Sequence, residues 1–274
     1  MLRIYFAILL GLLAGSAQAS HSLRFVTGEF NSFGTAIADQ APATSGPFAE
    51  VVHEVCAYIH YRCVIDQAPW RRALLMIEEG KADAIFAVFP TPPREGTIRF
   101  TPPLVTSSLN VYAHRSTPLR YRRPQDLTGR LVHVFGPSGA SYAVGERLRG
   151  IASVHEENDN LRLIRKLNAG RYGSDPAIMS ADSARLLIGR LGLSDVEDVG
   201  VFEYRGFGFG FSRMTGKDAE FQDFMAGLRA LMADGTIPAI IHRHHLRLAD
   251  SEWSLPIARK SGSKADCAAG CGVQ

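Results

Sequence analysis

One stretch, Pro69 to Leu104, constrains the fold of this chain more than any other: PWRRALLMIEEGKADAIFAVFPTPPREGTIRFTPPL. Pro69 suits the start of a helix, and Trp70, Ala73, Leu74 and Ile77 then recur at helical spacing. Gly80, free to take positive φ, stops that helix. The apolar run from Ala84 to Phe89 reads as a strand buried on both faces, and therefore as one parallel to its neighbours. It ends abruptly at Pro90, Thr91, Pro92, Pro93 and Arg94. A stiff turn carrying one cation, just past the carboxyl end of a parallel strand, is where open α/β sheets bind ligands. Phe100, Thr101 and two prolines then lead back into another strand. The expected fold class is α/β, and this segment, from Trp70 through Phe89 to Arg94, is the expected wall of a ligand pocket. Trp70 also fits a second place, on the apolar stripe with Leu74 and Ile77.

The chain starts with Met1, Leu2 and Arg3, an apolar run from Ile4 to Leu13, and Ala17-Gln18-Ala19. Residues 1–19 therefore read as a signal peptide, too short to span a membrane as a helix. No cysteine follows the cleavage site, so a lipid anchor is not expected. Without Arg3, 29 basic residues face 27 acidic ones. That balance argues against nucleic acid or a membrane surface as the partner. The 255 residues from Ser20 onward suffice for one large or two ordinary domains.

Leu23 to Thr27 reads as the first strand, followed by a loop, Gly28 to Gly34, at its carboxyl end. Glu29, Phe30 and Phe33 on that loop are candidates for ligand contact, or the two rings cover the sheet edge. An amphipathic helix starts at Gly46-Pro47, with Phe48, Val51, Val52, Val55 and Ile59 on one face. Cys56 lies on its last turn and Cys63 opens the next strand, Cys63 to Gln67. In an exported chain the spacing suggests a disulfide, with two buried thiols as the alternative. Leu109 to Ala113 is expected to carry the chain out of the first lobe. The arginines at 115, 120, 122 and 123 then read as solvated linker charges.

A second α/β series follows, with strands at Leu131–Phe135, Ser153–His155, Ala177–Ala181 and Val199–Phe202. Helices fall around Ser141–Leu148, Asp159–Ala169 and Ser183–Leu191, so the sheet is expected to be parallel. Gly136 to Tyr142 joins a strand to a helix start, where free N–H groups such as that of Ala140 suit a carboxylate. The spacing is not that of a P-loop. Asp182 follows a strand and caps the next helix in the simplest reading. In EYRGFGFGFS, residues 203–212, alternating glycine allows either a hinge or close packing. The run His242-Arg243-His244-His245 lacks a spaced carboxylate and is assigned no metal. Residues 249–274 read as a flexible tail whose Cys267 and Cys271 could bridge locally.

Three motifs, Gly80-Lys81-Ala82-Asp83-Ala84, Thr91-Pro92-Pro93-Arg94 and Phe100-Thr101-Pro102-Pro103, resemble those of the family 3 extracellular solute-binding proteins. The Pro69-Trp70 start with Arg72-Ala73-Leu74 resembles one branch of that family. The resemblance implies a two-lobed periplasmic-binding-protein fold (type II), with residues 20–112 plus 205–248 in one lobe and 113–204 in the other. It implies a monomer that captures a small polar solute by cleft closure and delivers it to an inner-membrane ABC permease, with no cofactor. By the same resemblance Arg94 and Thr91 hold the ligand carboxylate, Ser141 and the Ala140 amide assist, and Asp182 receives an amino group. Glu29, Phe30 and Phe33 match the family's contact loop, and Cys56–Cys63 matches a bridge in its histidine- and lysine/arginine/ornithine-binding members. Two alternatives share the fold: a periplasmic dehydratase of the cyclohexadienyl dehydratase type with Glu29 as general acid, and a partner of a membrane sensor.

Overall fold

Strand and helix alternate through most of the computed structural model, which describes residues 21–28 and 45–250. The expected signal peptide, the residues Glu29, Phe30 and Phe33, and Trp253, Cys267 and Cys271 lie outside the described residues. Strands β1 (Ser22–Thr27), β2 (Arg62–Gln67) and β3 (Ala84–Val88) are joined by helices α1 (Pro47–Tyr58) and α2 (Trp70–Glu78). Both pairings of β1, with β2 and with β3, are parallel. A single helical turn, α3 (Pro92–Glu95), and strand β4 (Ile98–Phe100) lead to β5 (Val105–His114). The second series is β6 (Leu131–Phe135), α4 (Gly139–Leu148), β7 (Ser153–Glu157), α5 (Asn160–Asn168), β8 (Ala177–Ser180) and α6 (Ala181–Leu191). Strand β9 (Val196–Ser212) returns, followed by α7 (Asp218–Ala233), α8 (Thr236–Arg243) and β10 (Arg247–Leu248).

The strand order is β2-β1-β3-β9-β5-β8-β6-β7. β5 and β9 pair antiparallel along their length, from Val105 opposite Phe207 to His114 opposite Val196. Each contributes to cores on both sides. Phe207, Phe209 and Phe211 of β9 pack with β1, β3, α1 and α7, whereas Phe202 of β9 and Leu109, Val111 and Ala113 of β5 pack with β6 and α4. Two α/β lobes therefore share a pair of crossing strands.

Three expectations are corrected. β3 is parallel to β1 but antiparallel to β9, with Ala84 opposite Phe211, because burial on both faces leaves strand direction open. Val199–Phe202 is not a further parallel strand. It is the first half of β9, which must run against β5 to bring the chain back. The turn at Thr91–Arg94 winds into helix α3, since two prolines occupy first-turn positions where a missing N–H costs nothing.

The alternation in β9 serves packing. A Cβ on Gly208 would lie 2.8 Å from Thr101 Oγ1 and 2.9 Å from the Pro102 carbonyl oxygen, so only glycine lets the two segments approach. The intervening rings fill the first core. Phe209 lies 5.2–6.4 Å, centroid to centroid, from Phe224, Phe48, Phe86 and Phe25. His244, just after α8, is also accounted for: its Nε2 lies 2.7 Å from Glu50 Oε1, and Arg243 pairs with the same carboxylate.

Cys56 and Cys63 are joined in a disulfide that closes α1 onto β2. The loop is short, so the chain-entropy model assigns the bond about 2.5 kcal/mol. Replacing both cysteines by serine is expected to lower the melting temperature by on the order of 5 °C. Peptide mapping without reductant checks the linkage itself, and recovery of both as free thiols would refute it.

Candidate functional site

The lobes meet over a cavity of about 60 Å³, within about 560 Å³ of space that includes open solvent. Its wall is built from the carboxyl ends of β3, β6 and β8, from the starts of α2 and α4, and from the crossing strands at Leu109 and Phe207. Parallel strands place these ends together because all their helical connections leave from the same edge. β3 bends as it arrives. Its register shifts between Phe86 and Val88, and the intervening Ala87 has φ of 61°. Such a bulge re-aims the chain that follows it, here Val88 and Phe89, both on the cavity wall.

Arg94 comes from α3. Its backbone N–H donates to the Thr91 carbonyl at 2.9 Å, which fixes the turn that carries it. The side chain is half-buried, and its Cζ stands 5.8 Å from the centroid of the Trp70 ring. Burial lowers its pKa while the Glu78 carboxylate acts in the opposite direction, and a guanidinium remains charged through such a shift. Among the described residues Arg94 makes no ion pair, Glu95 included. Among the described residues the cavity thus holds a cation with no ion-paired carboxylate, only the more distant influence of Glu78.

The start of α4 lines the same cavity. Ser138 caps this helix: its Oγ accepts from the Ser141 N–H at 3.1 Å, and its N–H donates to Ser141 Oγ at 2.9 Å. The N–H groups of Gly139 and Ala140, first in the helix, have no intrahelical acceptor and carry the positive end of the helix dipole. Gly139 also meets the other lobe. A Cβ there would lie 2.8 Å from Phe89 Cζ, so the absence of a side chain permits this contact across the cleft.

Of the residues expected at the site, Arg94, Trp70, Phe89 and Ala140 line the cavity. Trp70 also belongs to the core around α2, with Ala73, Leu74 and Ile77, so both of its anticipated places describe one position. Thr91 is buried and does not line it. Ser141 is likewise behind the wall, its hydroxyl donating to the Ser138 carbonyl at 3.1 Å. Asp182 sits in the first turn of α6 with a carboxylate oxygen 3.0 Å from Arg185 Nη1. It is not the cap expected from sequence: the helix starts earlier, Ser180 holds the N-cap position, and Ser180 and Ser183 are the residues on the cavity wall. Asn160, Phe135, Met179 and Phe207 line it too. Sequence reasoning passed over these four, although Phe207 stands out in the Gly/Phe alternation.

A second polar cluster lies on β6 and β7. His133 is buried and stacks on Tyr172 at 3.6 Å, and Glu157 accepts from the Tyr172 hydroxyl at 3.0 Å and pairs with Lys166. Burial, with His155 next to it, holds His133 below the usual histidine range. The ligand-type atoms of His133, His155 and Glu157 lie within 4.8 Å of one another. A metal ion there would have to displace the Lys166 ammonium from Glu157, so the set fits an internal ion-pair network better than a metal site.

No curated protein matches the chain at the sequence level. Solved structures match its fold. A histidine kinase sensor domain similar to periplasmic binding proteins superposes with a TM-score of 0.73 at 20% identity, covering 84% of this chain and 99% of that one. A structure reported for glutathione import via GshT of Streptococcus mutans gives 0.71 at 17%, covering 84% and 98%. The GluR0 ligand-binding core of Nostoc punctiforme, in complex with L-glutamate, gives 0.66 at 19%, covering 81% and 98%. These are likenesses of the two-lobed fold. At the level of sequence, the profile of the bacterial extracellular solute-binding proteins, family 3, matches residues 26–247, and the chain belongs to that family.

Proposed function

We propose that this solute-binding protein captures a small carboxylate-bearing solute, an amino acid or a related compound, in the periplasm and delivers it to an inner-membrane ABC permease. Residues 20–112 with 205–248, and residues 113–204, act as the two closing bodies, with β5 and β9 between them. The observation that carries the reading is Arg94: a half-buried guanidinium with no ion pair among the described residues, lining the same cavity as the helix-start amides of Gly139 and Ala140. A carboxylate would complete both sides at once, with two parallel hydrogen bonds to the guanidinium fork. Closure excludes water, and the binding energy then includes interactions that an open cleft does not make.

The cavity gives no sign of turnover chemistry among the described residues, where it is lined by hydroxyls, an amide and one guanidinium. Glu29, the candidate general acid of the dehydratase alternative, lies outside them. We therefore place solute capture first and the sensor-partner role second, the latter on the likeness to a kinase sensor domain.

The test is a thermal-shift screen of the mature chain across amino acids, simple organic acids and polyamines. A solute at 100 times its Kd adds about 2.7 kcal/mol of stability. Carboxylates are expected to raise the melting temperature and to change the fluorescence of Trp70, read in a Trp253→Phe background. A screen in which only polyamines stabilise the protein would overturn the reading.

A further inference from the structure

The cavity has one charged side chain among the described residues, Arg94. Its other polar side chains are Ser138, Asn160, Ser180 and Ser183, all uncharged, and the rest of the wall is apolar. Glu78 acts on Arg94 itself, and three other acidic residues close in the chain to this wall are committed elsewhere. Asp182 pairs with Arg185 at 3.0 Å, and Glu203 with Arg205 at 2.8 Å. Asp159 accepts from the backbone N–H groups of Leu161 and Arg162 at the start of α5. The position expected to offer a carboxylate to an amino group presents the Ser180 hydroxyl instead.

We propose that the ligand of this cleft is a monoanion with an apolar body, a small aromatic or branched-chain carboxylate without an ammonium group, rather than a zwitterionic amino acid. The inference rests on the carboxylate reading of Arg94 and narrows the class of solute. An ammonium group enclosed here would give up its water for neutral hydroxyls and would share the space with a like charge. A buried charge is tolerated only when paired. A carboxylate has its partners in Arg94 and the first amides of α4. An apolar body has its partners in rings and aliphatic side chains such as Phe89, Phe135 and Met179. Sites of this kind combine mostly apolar walls with a few polar groups that fix orientation.

The experiment uses matched pairs that differ only by the amino group, titrated calorimetrically into the mature chain: 3-phenylpropanoate against phenylalanine, and 4-methylpentanoate against leucine. The carboxylate without the amino group is expected to bind at least about tenfold more tightly in a pair, the consequence of leaving an ammonium unpaired. Tighter binding of the amino acid overturns this inference and leaves the carboxylate reading standing. If that preference then disappears in Glu29→Gln, the missing countercharge belongs to the loop after β1, and the inference is equally overturned. No binding by any member of either pair, with polyamines or uncharged solutes binding instead, overturns the carboxylate reading as well.

Discussion

Replacing Arg94 by alanine is expected to weaken binding of a carboxylate ligand by about 2–5 kcal/mol, a loss of at least about thirtyfold. The magnitude follows from where the charge sits. A guanidinium on an open surface contributes under about 1 kcal/mol through an ion pair, because water screens it. Arg94 is half-buried against Trp70, in a cavity whose other described side chains are neutral. Its two parallel hydrogen bonds to a carboxylate would form where water is excluded. Lysine should recover only part of the loss, since it keeps the charge but not the planar fork. The melting temperature without ligand should barely move, because Arg94 makes no ion pair among the described residues, and its contact with Trp70 is worth only about 0.5–1 kcal/mol at such exposure. Calorimetric titration and melting curves of Arg94→Ala and Arg94→Lys measure both quantities. Unchanged affinity in both variants would remove Arg94 from the site.

The largest expected loss of stability comes from Phe209→Ala. Phe209 is fully buried, and rings from β1, α1, β3 and α7 surround it. Removing a phenylalanine from such a setting costs about 3–5 kcal/mol, the transfer free energy of the ring plus the cavity it leaves. For a chain of this size the melting temperature should fall on the order of 10 °C. Tyr204, exposed on the same strand, is the control. Tyr204→Ala should stay within about 0.5 kcal/mol of the parent. Equal effects at the two positions would mean that β9 is not anchored through its rings.

The elements of this fold were legible from local pattern. Helical spacing in Phe48–Ile59 and Trp70–Ile77 marked α1 and α2. The break from apolar run to prolines marked the end of β3, and the spacing of Cys56 and Cys63 agreed with a disulfide. These signals are short-ranged, since a helix or strand is set by residues within a turn or two. Arg94 stood out for the same reason: a cation fixed by its neighbours at the end of a strand.

Tertiary structure decided the rest. The direction of β3 relative to β9, and the fusion of two anticipated segments into one 17-residue strand, depend on contacts between distant parts of the chain. The Phe209 N–H, for example, donates to Thr101 Oγ1, 108 positions away. The same holds for the cavity. A two-residue shift at the end of β8 settles whether Asp182 or Ser180 faces it, and local pattern does not fix a helix start that finely. Ser141 is drawn behind the wall by its bonds to Ser138. Asn160, Met179 and Phe207 join the site only because β8, β9 and α5 converge there. Sequence determined which groups exist and where the chain turns. Which of them face the cleft, and that Arg94 does so with no ion pair among the described residues, was set by how the two lobes pack around β5 and β9.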